Sequence, residues 1–329
     1  MNDIESAAAS ATLAELNNRF AIPFKLRFKE QGDGLVVADI TNAHATASIS
    51  LQGGQILGWQ PTTTAEPVIW MSTDAKFAPG KSIRGGIPVC WPWFGAHASN
   101  DKLPAHGFAR TQPWQVKSTR SLDDGSTEIS LTMPLTESMQ AMWPHASLNM
   151  TQLDMLINVG ETLKIALITR NLGDVDFTIT EALHTYFSVS DITQLNQVQV
   201  DGLDGIHFHD KADGWIEGDQ VGVIPFASEV DRVYVDTPER CTIVDAGFKR
   251  RIHIAKLGSQ STVVWNPWAD RAVQMGDLGH DGDQNQEGLK DSGWKRFICV
   301  ESANARENAV TVSAGKSHTM AVEYRVESL

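Results

Sequence analysis

"EALHTYFSVSD", residues 181–191, is a largely apolar run that contains one titratable ring. Period-two alternation puts Leu183, Thr185, Phe187 and Val189 on one face and Ala182, His184, Tyr186 and Ser188 on the other. The run reads as a strand, with His184 turned toward the more polar side. An imidazole placed this way is either a structural group with both nitrogens satisfied or a functional one, and this stretch by itself does not separate the two.

The same strand grammar extends outward from this run. "LVVADI" follows the turn "QGDG", "WQVKST" and "TEISLTM" flank "RSLDDG" as the arms of a hairpin, and in "LKIALIT" Leu163, Ile165 and Leu167 alternate with Lys164, Ala166 and Ile168. Only the beginning of the chain has helical spacing, at Leu13, Leu16 and Phe20, with Thr12 and Glu15 placed as a capping box. With no repeat, linker or change of composition to mark a boundary, the expected organisation is a helical segment over residues 1–22 and one all-β, antiparallel domain over 23–329.

Hydrophobic residues make up 42% of the 329 and charged residues 20%, which suits a packed core and excludes disorder. A formal charge of -13 and the lack of any basic run argue against a nucleic-acid partner. They do not exclude a small anion, because exposed charges are screened over about 8 Å and a local arginine pair can dominate. Cys90, Cys241 and Cys299 are odd in number, widely spaced and without a CxxC pattern, so neither a disulfide framework nor a zinc site is expected. "MNDIESAAAS" has no basic, signal-like start, and no run nears 18 apolar residues. The expectation is a reduced, cytoplasmic protein without a membrane partner.

Four further stretches hold candidate chemistry. In "WKRFICVESAN", residues 294–304, Phe297, Cys299 and Glu301 share a face, and Glu301 is expected to leave the core side of the sheet. A carboxylate there is costly unless it is partnered or functional. "SIRGGIPVCWPWFG" carries Arg84 and "LPAHGFARTQPW" carries His106 and Arg110. Both read as ordered loops whose guanidinium groups suit a dianion such as a sugar phosphate. Trp91, Trp93, Trp265 and Trp268 are loop or core anchors that could also stack on a sugar. "GIHFHD" sets His207 and His209 on one face beside Asp210, without an evident third ligand for a metal, and both are expected to be solvated. The long polar loops 94–107 and 276–293 should border any site.

Taken in order, "IRGGIPVCWPWFG", "LPAHGFAR", "EALHTYF", "DRVY", "VVWNPW" and "ICVESAN" resemble the aldose 1-epimerase superfamily, in its hexose-6-phosphate mutarotase branch. The resemblance covers most of the chain after the helix. It implies a large antiparallel β-sandwich whose concave face holds a pyranose. By motif, His184 matches the family's acid and Glu301 its base; Arg84 and Arg110 match substrate-holding arginines, Asp231 a hydroxyl-binding aspartate and His106 a substrate-contacting histidine. Ala105 departs from relatives that place a glutamine there, which leaves the sugar preference open.

The implied reaction removes a proton from the C1 hydroxyl and gives one to the ring oxygen, so that the ring opens and recloses on the other anomer. Imidazolium His184 and carboxylate Glu301, facing each other across a cavity sized for one pyranose, are the expected pair, with no metal or other cofactor. Monomer is the expected state. An epimerase of neutral aldoses, a non-catalytic carbohydrate-binding module and a glycoside hydrolase using Asp231 with Glu301 are the alternatives.

Overall fold

The computed structural model describes residues 11–144, 150–224, 226–281 and 292–329. The first ten residues of the expected helical segment and residues 282–291 of the second long loop lie outside them. The helix runs Leu13–Phe20 and is closed by the expected box: Glu15 N–H donates to the Thr12 hydroxyl, and the Glu15 carboxylate accepts from the Thr12 backbone. Its buried residue, Leu16, joins the main core.

The remainder is an antiparallel β-sandwich. One eight-stranded sheet runs, in spatial order, Val198–Asp201, Cys241–Asp245, Arg250–Leu257, Ser317–Ser328, Leu163–Asn171, Thr151–Val159, Thr127–Met133 and Gln115–Ser121. The other contains Ile216–Asp219, His207–Asp210, Val230–Tyr234, Ser261–Asn266, Phe297–Asn304, Glu181–Leu183 and Val89–Cys90, with Tyr186–Ser188 also paired to Phe297–Asn304. A four-stranded meander, Leu26 to Pro61, flanks them. The expected hairpin closes with Ser121 opposite Thr127, and Leu163–Asn171 buries every second residue, as its alternation requires.

The alternation in residues 181–191 has a direct meaning here. Thr185 and Phe187 point to the other sheet, where Phe187 meets Tyr324 edge-on at 5.0 Å and the Thr185 and Tyr324 hydroxyls are 2.7 Å apart. Polar ties reinforce that seam. His318 lies 2.7 Å from the Glu181 carboxylate, and fully buried Arg250 donates to the carbonyls of Ser188, Glu66 and Pro67.

Replacing Phe187 by Ala removes the main apolar plug between the sheets and should cost about 3–5 kcal/mol. Urea unfolding reads this directly, and a loss below about 1 kcal/mol would show that the seam does not depend on this ring.

Candidate functional site

The strand 181–188 is broken. Glu181–Leu183 and Tyr186–Ser188 both pair with Phe297–Asn304, but His184 and Thr185 between them leave the ladder. Directly opposed residues of an antiparallel pair project to the same side. The row Asp231, Trp265, Cys299, Tyr186 therefore lies on one face, the one turned away from the second sheet, and so does Glu301 opposite Val263. Phe297, Cys299 and Glu301 do share a face, but it is the outer face and not the inter-sheet core. All eight residues of Phe297–Asn304 are buried, so periodicity shows which residues share a side without showing which side is the core.

His184 and Glu301 meet side by side, with Nδ1 3.3 Å from Oε1. They do not confront each other across a ring's width. The alignment is too poor for a hydrogen bond, and His184 Nδ1 and Glu301 Oε2 are buried polar atoms without a partner. His184 stacks on Tyr186 at 5.0 Å and 10°, and meets the edges of Trp265 at 5.8 Å and His106 at 5.6 Å. It keeps 9% of its surface open, whereas Glu301 keeps 1%.

Burial disfavours the charged form of each group. It holds Glu301 well above the usual carboxylate range, with Asp231 adding to the effect and Lys211 opposing it. It holds His184 well below the ordinary imidazole value, assisted by His106 and by the charges of Arg110 and Arg84. Both shifts lean the same way, toward a neutral imidazole beside a carboxylic acid. The expected imidazolium and carboxylate contain the same number of protons; burial moves one of them from ring to carboxyl.

The arginines differ from one another. Arg84 Nε and Nη2 donate to the Asp277 carboxylate at 3.0–3.1 Å, and Nη1 donates to the Tyr186 hydroxyl at 3.0 Å. Its charge is already balanced, and it fixes the ring on which His184 stacks. Arg110 sits in a single 3₁₀ turn, Ala109–Thr111, where a plain loop was expected, and Nη2 donates only to the Ala105 carbonyl at 2.8 Å. No carboxylate lies within ion-pair distance of it among the described residues. Between the two, Gly107 at φ +70° lets the chain pass the Trp91 carbonyl, which a Cβ would strike, and so seats His106 at the site. His106 Nδ1 accepts from Gly95 N–H at 3.4 Å, which leaves Nε2–H as its donor.

Asp231 is gathered into the site through its ion pair with Lys211, 3.0 Å. All six residues expected from the sequence thus converge on one region of the outer face. Sequence reasoning did not single out Asp277, Lys211 or Tyr186, which contact Arg84, Asp231 and His184 respectively. Tyr186 was legible from its alternation with His184; Asp277 and Lys211 are loop acids and bases that only tertiary pairing distinguishes. His207 and His209 lie elsewhere on the sheet, facing Asp219 and Glu217 across the hairpin. His207 is exposed, but His209 is buried between Glu217 at 3.3 Å and Glu307 at 3.1 Å, not solvated as its polar surroundings in the sequence suggested.

Residues 37–325 match the family model described as aldose 1-epimerase. A Salmonella typhimurium protein provisionally named glucose-6-phosphate 1-epimerase is 34% identical over 297 residues, covering 88% of this chain and 92% of that protein. An Escherichia coli protein with the same provisional name is 37% identical over 288 residues, covering 86% and 87%. The crystal structure of a Salmonella typhimurium protein provisionally named a mutarotase superposes with a TM-score of 0.82 at 32% identity, covering 94% of this chain and 96% of that one.

Burial first, then Arg110, Lys211 and Arg84, push His106 down to about 3. Its ring resonances should stay flat between pH 5 and 8 in an NMR titration; a midpoint near 6.5 would contradict this environment. The unfolded chain binds a proton on His106 below about 6.5 while the folded one does not, so acidification between about 6.5 and 3 favours unfolding. Glu301 acts in the opposite sense, since its raised folded value stabilises at low pH and that stabilisation is lost as pH rises above about 4.5. From pH 6.5 to 4.5, wild type should therefore lose more urea stability than His106→Gln.

Proposed function

This chain belongs to the aldose 1-epimerase family, and on that premise we propose that it interconverts the α and β anomers of a hexose 6-phosphate, glucose 6-phosphate first among them. It is an isomerase. The observation that carries the reading is the adjacent His184–Glu301 pair. The hydroxyl at C1 and the ring oxygen are bonded to the same carbon, so the two proton carriers that serve them must also be neighbours.

The chemistry uses one proton in and one out. Glu301 takes the proton of the C1 hydroxyl, whose electrons form the aldehyde, while the C1–O5 bond breaks toward the ring oxygen and His184 protonates it. Rotation about C1–C2 presents the other carbonyl face, and the reverse transfers close the opposite anomer. The cycle starts from an imidazolium beside a carboxylate, the charged forms that burial disfavours. The positive field of Arg84 and Arg110 opposes the imidazolium in the free enzyme. A phosphate dianion beside Arg110 offsets the field and favours the imidazolium–carboxylate form when a phosphorylated sugar is present. Arg110, without a carboxylate partner, supports a phosphate contact; Arg84, satisfied by Asp277, supports a positioning role through Tyr186. Asp231 and the His106 Nε2–H are suited to sugar hydroxyls.

His184→Asn and Glu301→Gln should each lower the mutarotation rate, followed by polarimetry or anomeric NMR, by at least about a hundredfold with the fold intact. A near wild-type rate in either would reject the assignment. Arg110→Ala removes a charge-assisted contact of about 1.5–3 kcal/mol, roughly tenfold to hundredfold, from glucose 6-phosphate and little from glucose. Equal losses on both sugars would support the neutral-aldose reading. Binding without anomer exchange would support a carbohydrate-binding module, and release of sugar from an aryl glycoside a hydrolase.

A further inference from the structure

Cys299 has no part in the proton transfers, yet it is fully buried on the same face, two residues before Glu301 and opposite Tyr186. One ligand atom from each of His184, Cys299 and Glu301 lies within 4.8 Å of the others, and this is the one His/Cys/acid trio that converges so closely among the described residues. Zinc bonds of about 2.0–2.3 Å set ligand atoms roughly 3.3–3.8 Å apart in a tetrahedron. The His184–Glu301 separation of 3.3 Å already matches, and a small contraction around Cys299 completes three corners. His184 Nδ1 and the second Glu301 oxygen, Oε2, are buried without a hydrogen-bond partner, and all three residues are at least nine-tenths buried.

We infer that His184, Cys299 and Glu301 form a binding site for a borderline-soft divalent cation, zinc being the best fit, and that its occupancy blocks the enzyme. The blocking half rests on the function proposed above; the binding half does not. An imidazole, a thiolate and a carboxylate around a dication make a neutral site, and this charge balance offsets the cost of burying the two anions. The step is balanced: the thiol and the carboxylic acid each release a proton as their lone pairs bind the metal, and nothing is oxidised or reduced. Arg84, Arg110 and Lys211 weigh against the cation and Asp231 favours it, so the affinity belongs to an inhibitory site and not to a structural one. Metal held there engages both the imidazole and the carboxyl, leaving neither free to exchange protons with the sugar.

Cobalt(II) serves as the spectroscopic probe. One equivalent added to the full-length protein should produce the near-ultraviolet sulfur-to-cobalt band and the visible bands of a four-coordinate ion, all lost in Cys299→Ser and in Cys299→Ala, whose fold is checked by circular dichroism. In mutarotation assays, micromolar free zinc should slow wild type at least tenfold, and the Cys299 variants, which retain their basal rate, should be at least tenfold less sensitive. Absence of a sulfur–cobalt band, or a band that persists without Cys299, overturns the site. Equal zinc sensitivity in wild type and the Cys299 variants overturns the blocking. A protein that shows the band but exchanges no anomer upholds the site and refutes the function.

Discussion

Everything at the site depends on the strand Phe297–Asn304 being covered on both faces. One face closes the sandwich; the other must hide a glutamate that water would otherwise ionise. Putting a carboxyl in such a place is unfavourable unless its charge is removed or matched, and the neighbouring imidazole meets the same constraint from the opposite sign. Burial pushes both groups toward their neutral forms. The pair is thereby poised, because moving one proton a short distance changes both charges without importing or exporting any.

The surrounding residues act on that balance at different ranges. Asp277 grips Arg84, Arg84 holds the Tyr186 hydroxyl, and Tyr186 supports the plane of the His184 ring, so a loop carboxylate helps to orient the imidazole through three successive contacts. Lys211 moderates Asp231, which would otherwise push Glu301 further toward its protonated form. Arg110 carries the least compensated charge of the set and is the group whose field an incoming anion can cancel.

Much of this was legible in the sequence because strand alternation is a geometric rule. It assigned His184 and Tyr186 to one side and Thr185 and Phe187 to the other, and the hairpin around "RSLDDG" and the helix cap at Thr12 followed from turn and cap chemistry. The side on which Glu301 emerges was not legible, since a strand apolar on both faces gives no preference between them. Nor were the shifts in proton affinity, because they depend on desolvation and on charges brought from residues about 70 to 100 positions away. The separate duties of the two arginines depend on Asp277, whose pairing across the fold leaves no local pattern. His209 was misjudged for the same reason, as its cover comes from Glu307, far along the chain.

The break in the ladder at His184 and Thr185 sits between two paired segments of a central strand, and both backbone N–H groups there are bonded, so the imidazole has a rigid mount. Amide exchange should be slowest along Phe297–Asn304 and its neighbours and much faster in the turn holding Arg110, because opening free energies grow with buried contact and shrink at exposed loops. On the proposed function, proton chemistry is thus mounted on the more durable part of the molecule and the anion anchor on a softer one. Mild warming or denaturant would then erode selectivity for charged sugars before it touched turnover itself.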